Sequence, residues 1–324
     1  MPKVSVIIPA YNAMAFLPTT LESVLNQTFN DYEVIVINDG SSDGIIDWFT
    51  QVTDIRVKLI SQENQGPAAA RNHGINQAQG EYLAFLDADD IWAENKLEKQ
   101  VNILDNHPTI GLVYSWVGSI DSQGNIGNKI RKNTAEGRVW ETIIEHNIIE
   151  CGSNPMVRRI CFEQVGVFDH RLAYAQDWEM WVRVASRYQF QVIHETLVYY
   201  RSHPNNRSKN WKIMEQNYNL IFDKSFAHAP EYLSVEDLKI LENRIYGFAN
   251  LRIAWKALQS GDYQQAGDFR QKAVQRYPQL SSLRNYLFLG VAIILVRVFG
   301  IQGYNKIRNI IYNLIGKRVS SIAG

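Results

Sequence analysis

Three carboxylates end the segment Tyr82-Leu-Ala-Phe-Leu-Asp87-Ala88-Asp89-Asp90, two of them adjacent, at the point where a short apolar run stops. Acids crowded this closely repel one another unless something positive sits among them. Hard oxygen donors suit magnesium and manganese, so the cluster has the chemistry of a divalent-cation site that holds a phosphorylated ligand. It equally suits a turn of solvated acids that caps the next helix. The segment by itself leaves both open.

The surrounding elements decide where those acids go. Val4–Ile8, Val34–Ile37 and Val57–Ile60 are short runs rich in β-branched residues, Tyr82–Leu86 is a short apolar run, and all four read as strands. Between them, Leu17, Leu21, Val24 and Leu25 fall on one helical face, and Gln65-Gly66-Pro67 opens a helix with proline in its first turn. Strands alternating with helices predict an α/β fold with a mostly parallel, Rossmann-like sheet flanked by helices. Ligands of such sheets bind beyond the carboxyl ends of the strands. Pro9–Asn12, Asn38–Ser42 and Asp87–Asp90 each follow a strand, so the three loops converge on one rim.

Further along, Leu112–Val117 reads as a strand, and Gln191–His194 with Leu197–Tyr200 as another strand or a hairpin. A helix near Asp177 carries Trp178, Trp181, Val182 and Ala185 at helical spacing. Beyond Phe226 the pattern is wholly helical. Ile245–Leu258 and Gln264–Tyr277, joined by Ser260-Gly-Asp262, form a hairpin like one tetratricopeptide unit, a packing element rather than a solenoid. The expected organisation is residues 1–225 as a catalytic domain with halves 1–110 and 111–225, then a helical hairpin at 226–280 and a tail at 281–324.

A chain of 324 residues with 46% hydrophobic content buries a large core. Its two cysteines, Cys151 and Cys161, imply neither a disulfide framework nor a zinc site. No signal peptide is read at the start, where Met1-Pro-Lys leads directly into a strand, so the catalytic face is expected to be cytoplasmic. The net charge of zero hides an asymmetry. Nine of the 33 basic residues lie beyond Asp268, the last acidic one, which leaves 24 against 33 acids before it, a net of −9. A basic tail on an acidic body predicts an anionic partner. Tyr286–Val296 is apolar but shorter than the roughly 20 residues of a membrane-spanning helix. Ile301–Ile315 is amphipathic, with Lys306 and Arg308 on its polar side. Together they predict peripheral binding to an anionic membrane surface, with docking on protein as the alternative. Without interleaved aromatics, nucleic acid is not expected.

The segments V-S-V-I-I-P-A-Y-N, V-I-V-I-N-D-G-S-S-D, N-Q-G-P-A-A-A-R-N-H-G and Y-L-A-F-L-D-A-D-D, in that order, resemble the family 2 glycosyltransferases across about residues 3 to 205. These are inverting nucleotide-sugar transferases of the GT-A fold, so the resemblance implies that fold, followed by the all-helical C-terminal extension read from the pattern beyond Phe226. It implies a UDP-sugar donor first, and Mg2+ or Mn2+ as cofactor. Pro9, Ala10, Tyr11, Asn12, Asp39, Gly66, Arg71, Asp87 and Ala88 then form the nucleotide site. Tyr11 offers an aromatic face for the base. Asp39 takes the base or ribose in the family, though an Asx-turn is the plain alternative. Arg71 projects from a helix whose N-terminus favours anions.

By the same analogy Asp87 contacts the ribose and Asp89 binds the metal, while Asp90 caps a helix or supports its neighbours. His203, in Tyr200-Arg-Ser-His, matches an R-x-H ending and is expected at the diphosphate or the metal, with Arg201 ordering the loop that follows. Asp177 matches the family's general base, and Gln176 departs from the acid that usually precedes it. Cys151–Asn154 is expected on the acceptor side. The implied acceptor is a saccharide or glycolipid hydroxyl. Two other readings stand beside this one. A nucleotidyltransferase would want a Gly-rich phosphate loop with lysine, which Pro9–Asn12 lacks. A degenerate, membrane-tethered binding module gains some weight from Gln176.

Overall fold

The structure is a computed structural model that describes residues 1–172, 174–202 and 211–315. Its elements fall into two compact units, Met1–Asn206 and Arg207–Gly324. The boundary expected at 225 would cut the first helix of the second unit near its end.

In chain order the first unit contains β1 (Val4–Ala10), α1 (Leu17–Leu25), β2 (Tyr32–Asp39), α2 (Ile45–Phe49), β3 (Val57–Gln62), α3 (Pro67–Gln77), β4 (Tyr82–Phe85) and β5 (Ile91–Trp92). There follow α4 (Lys96–Asn106), β6 (Ile110–Ile120), β7 (Ile126–Arg131), α5 (Trp140–Glu145), β8 (Met156–Arg158), α6 (Arg159–Val165), α7 (Gln176–Ala185) and β9 (Gln189–Arg201). The strands make one sheet in the order β3-β2-β1-β4-β8-β6-β9-β5, with β7 paired on β6. β3, β2, β1 and β4 are mutually parallel, as alternation with helices requires. All eight residues of β2 are buried, and its centre, Val34–Ile37, is the apolar run typical of a strand covered on both faces.

β8 lies antiparallel between β4 and β6, and β6 runs parallel to β9. Two reversals return β6 and β9 to the direction of β4. Their carboxyl ends therefore lie at the same rim as those of β1, β2 and β4. The two runs read in the sequence as a strand or hairpin are one strand, β9. Its register against β6 steps from Ser115↔Ile193 to Trp116↔Thr196, so His194 and Glu195 form a bulge rather than a turn.

The second unit contains α8 (Trp211–Ala227), α9 (Val235–Gln259), α10 (Tyr263–Arg276), a 3₁₀ turn (Pro278–Ser282) and α11 (Arg284–Ile315). Ser234 and Asp262 cap α9 and α10 by accepting from Asp237 N and Gln265 N. Ile253, Ala257, Phe269 and Ala273 are buried in this unit. The two terminal segments expected to be separate are two helices within α11, divided at Gly300, whose φ of 67° is not helical. Among the described residues Arg284–Asn309 is by length and composition able to cross a membrane, with a mean hydropathy of 1.9 over an 18-residue window. The shorter apolar stretch expected to stop at Arg297 and Gly300 does break at Gly300, so the continuous helix ahead of it is Arg284–Phe299.

Candidate active site

The rim is assembled by hydrogen bonds between loops. Pro9 and Ala10 are the last residues of β1, paired with Ile37 and Asn38 of β2. Tyr11 emerges 48% exposed. Asn12 takes a φ of 48°, a left-handed conformation that asparagine tolerates better than most residues. Its N–H donates to Ser41 Oγ at 3.0 Å, and its Oδ1 accepts from Ser42 N at 2.8 Å. The loops after β1 and β2 are thereby clipped together.

Asp39 closes β2 and is buried. Its Oδ1 accepts from Gln62 Nε2 at 2.8 Å and Gln65 N at 2.9 Å, and its Oδ2 from Gly66 N at 2.9 Å. Three of its roughly four lone-pair sites are thus engaged, and they hold the loop that opens α3. Gln62 Oε1 lies 2.7 Å from His73 Nδ1, which extends the chain of contacts onto α3 itself.

The acids that follow β4 have separate environments. Asp87 and Asp89 are half-buried, whereas Asp90 is fully buried. Asp87 pairs with the Arg71 guanidinium, and its N–H donates to Ser153 Oγ at 3.0 Å. Asp90 accepts from the Ser153 hydroxyl and, at 2.8 Å, from Arg201 N. Burial, then the charges of Asp89 and Asp87, push its carboxyl well above the usual range. Asp90 caps no helix, because α4 begins only at Lys96. It joins the loop after β4 to the end of β9.

Two further residues fix the same loop. Thr20 Oγ1 lies 3.0 Å from Ala88 O and 2.8 Å from Asp90 O. Arg201 Nε donates to Asp89 O at 2.6 Å and its Nη1 to Asp121 O at 2.8 Å. Arg201 thus binds the loop after β4, and the loop it was expected to order lies outside the described residues.

Arg71 sits one helical turn into α3 and is 5% exposed. Its guanidinium lies over Phe168, 5.6 Å from the ring centroid. Burial works against its charge, but Asp87, Asp177 and Asp89 outweigh that cost and hold its pKa above the ordinary value. Its Nε makes no hydrogen bond among the described residues. The pair with Asp87 rests on bare backbone: a Cβ at Gly152 would lie 3.0 Å from Arg71 Nη2 and 3.3 Å from Asp87 Oδ2. Cys151–Asn154, expected on the acceptor side, packs against Arg71, Asp87 and Asp90. Burial, then Asp90 and Asp87, raise the Cys151 thiol well above its usual range, which leaves it inert as a nucleophile. Asn154 Oδ1 accepts from Ser115 N and its hydroxyl, and Nδ2 donates to Ser115 O and Ile149 O.

Asp177 arrives from a distant segment, as the second residue of α7. The preceding Ala175 holds a φ of 60°, a strained conformation for a non-glycine residue. Burial raises the Asp177 carboxyl, while the nearby Arg71 pulls the other way. α7 is rigidly seated: Trp178 Nε1 donates to Ile143 O at 2.5 Å, and Arg183 pairs with Glu179 at 2.7 Å. The structure thus brings Arg71, Asp87, Asp89 and Asp177 together. His203 lies outside the described residues.

Sequence reasoning missed Ser153, Thr20 and Gly152 as supports of the carboxylates. Thr20 carried a signal, a polar residue beside Leu21 on the apolar face of α1. Among the described residues no three His, Cys, Asp or Glu side chains form a ready-made metal site. The donor chemistry nevertheless fits magnesium or manganese. These ions commonly take one or two carboxylates and fill their shells with substrate phosphates and water. Asp90 is sealed, whereas Asp87 and Asp89 are half-buried and reach the rim, as carboxylates of such a shell must.

The family model described as Glycosyl transferase family 2 matches residues 5–166. An uncharacterized glycosyltransferase of Methanocaldococcus jannaschii is 33% identical over 207 residues, 62% of this chain and 71% of its own length. One from Rickettsia bellii is 36% identical over 186 residues, 57% of this chain, which spans only 26% of that relative. Among solved structures, S. aureus TarS 1-349 superposes with a TM-score of 0.62 at 19% identity, over 93% of this chain and 89% of its own. The mannosyltransferase PcManGT from Pyrobaculum calidifontis, solved in complex with GDP-Man and Mn2+, gives a TM-score of 0.58 at 19% identity, over 98% and 88%.

Proposed function

From the premise that this chain belongs to glycosyl transferase family 2, we propose that it moves a sugar, with inversion, from a nucleoside-diphosphate donor to an acceptor hydroxyl. A UDP-sugar is the first choice of donor, and a glycolipid, lipid-linked saccharide or polysaccharide the acceptor. The observation that carries this reading is the gathering of Asp87, Asp89 and Asp177, from two distant segments, about the buried guanidinium of Arg71.

Tyr11 presents its open ring to the base, beside Pro9, Ala10 and Asn12. Asp39 and Gly66 border the base and ribose, and Asp87 with Ala88 borders the ribose and diphosphate. Arg71 offers its charge to the phosphates. Asp89 would hold a magnesium or manganese ion, which would supply Lewis-acid neutralisation of the departing diphosphate. His203 joins that shell on the strength of the resemblance alone. Asp177 accepts the proton of the acceptor hydroxyl while that oxygen bonds to the anomeric carbon and the bond from carbon to diphosphate breaks. A carboxylate whose pKa is raised toward the working pH is the stronger base. The basic stretch beyond Asp268 supports a peripheral place on the anionic, cytoplasmic face of a membrane.

The test is thermal unfolding with a panel of nucleotide-sugars, with and without Mg2+ or Mn2+, on the natural chain and on Asp89→Ala. One nucleotide-sugar should protect in a metal-dependent way that Asp89→Ala abolishes. Protection by none, or equal protection of both chains, overturns the reading.

A further inference from the structure

Six large apolar side chains stand exposed on α11: Leu287, Phe288, Val291, Ile294, Val298 and Phe299, each between 53% and 65%. At about 100° per residue they share an arc of about 140°. Tyr286, Leu289, Ala292 and Val296 on the opposite side are buried. Arg270 of α10 holds that buried side, with its Nε donating to Tyr286 O at 3.2 Å and its guanidinium 3.9 Å from the Tyr286 ring centroid. A helix apolar on both sides is normally covered on both.

Charge selects the cover. From residue 269 to 324 the chain has nine basic side chains and no acidic one. Arg284 starts the helix on the exposed arc and Arg297 flanks it. A second copy of the helix brings no acid to meet them, whereas anionic lipid headgroups do. Length selects the orientation. Arg284–Asn309 as a whole is long enough to cross, but the break at Gly300 divides it, and the continuous stretch Arg284–Phe299 rises about 24 Å against a hydrocarbon core of about 30 Å. A spanning helix would also have to leave Arg270.

We infer that α11 lies in the plane of an anionic bilayer, with Leu287, Phe288, Val291, Ile294, Val298 and Phe299 among the acyl chains and Arg284 and Arg297 at the headgroups. This deepens the peripheral reading above and rests on it. It moves the inserting surface upstream of Gly300, from the amphipathic stretch expected at Ile301–Ile315.

The test uses the full chain with phosphatidylcholine vesicles, with and without phosphatidylglycerol. The natural chain should sediment with the anionic vesicles. The double variant Val291→Glu/Ile294→Glu should lose affinity by about tenfold or more, with its circular dichroism unchanged. Ile55→Glu, at a residue 95% exposed in the first unit, should bind as the natural chain does. Cys151 and Cys161 are buried, so a Val291→Cys variant takes an environment-sensitive dye at one place, and its emission should rise only with anionic vesicles. If the natural chain binds no vesicle, the peripheral reading itself fails. If the double variant binds equally, this face is wrong while the peripheral reading stands. Resistance to alkaline carbonate extraction identifies a spanning helix instead. A dimer that the double variant dissolves, with vesicle binding intact, identifies a second copy as the cover.

Discussion

The two units break the usual rule of burial in opposite directions. In Met1–Asn206 the chain buries charge and polarity: Asp90, Lys96, Gln100 and Asn154 are all fully buried. Each is answered from within the same unit. Lys96 donates to Gln100 Oε1 at 2.7 Å and lies 3.9 Å from the centre of the Trp92 ring, and Gln100 in turn donates to Val113 O and Asn154 O. Burial drives the Lys96 amine well below its usual pKa. In Arg207–Gly324 the chain does the reverse and leaves a face of leucine, phenylalanine, valine and isoleucine exposed. Buried polar groups and exposed apolar patches are the informative departures from ordinary burial. Here the first marks a site that supplies its own partners, and the second a surface whose partner comes from outside the chain.

That contrast can be broken in four ways. The largest effect belongs to Asp177→Asn, which should cut transfer by about 10²–10⁴-fold while leaving nucleotide affinity in place. Parallel measurement of turnover and nucleotide binding checks it, and full transfer removes Asp177 as the base. Next is Asp90→Ala, which leaves the Ser153 hydroxyl and Arg201 N–H without their acceptor. It should cost about 2–4 kcal/mol in urea unfolding. Val291→Glu, on the exposed face of α11, should stay within about 0.5 kcal/mol in the same assay. Equal costs would erase the distinction between the two kinds of departure.

The third is a pH profile. Because burial raises the Asp177 carboxyl, the acid limb of activity should lie above the ordinary aspartate value of about 3.9. Activity is lost as pH falls through it. Arg71→Met removes the opposing charge and should move that limb further up. The stability sign is the reverse. The native carboxyl holds its proton more tightly than the unfolded one, so its contribution falls as pH rises from about 3.9 through the raised value. The smallest effect is Ala175→Gly, which relieves a φ of 60° and should change stability by no more than about 1 kcal/mol. A lower turnover at unchanged stability would show that the strain serves to aim Asp177.

The parallel half of the sheet was legible because its strands are continuous apolar runs and its loops follow them directly. Asp87 and Asp89 stood out by their chemistry at the end of a strand, while Asp177 and the separate roles of the acids and Arg71 could be named only through the family resemblance. Their pairing could not be named at all, since Arg71 reaches Asp87 only when Gly152, far along the chain, leaves room beside them. The bulge at His194-Glu195 misled because two polar residues between apolar runs look like a turn. Only the register against β6 shows the strand continuing. Asp90 looked like the third member of a cluster. Its burial depends on Ser153 and Arg201, which no local pattern connects to it.

α3 has one more consequence. Asp39 grips the start of this helix through Gln65 N and Gly66 N, and Arg71, one turn in, grips Asp87. The helix is therefore a short lever with a handle at each end. A ligand that competes for Asp39 loosens the mounting of Arg71, and one that draws Arg71 away from Asp87 pulls back on Asp39. Thermodynamic coupling follows, so the energetic effects of substituting Asp39 and Arg71 should not add in a double-mutant cycle. Sequence drift at either position is then constrained by the residue at the other.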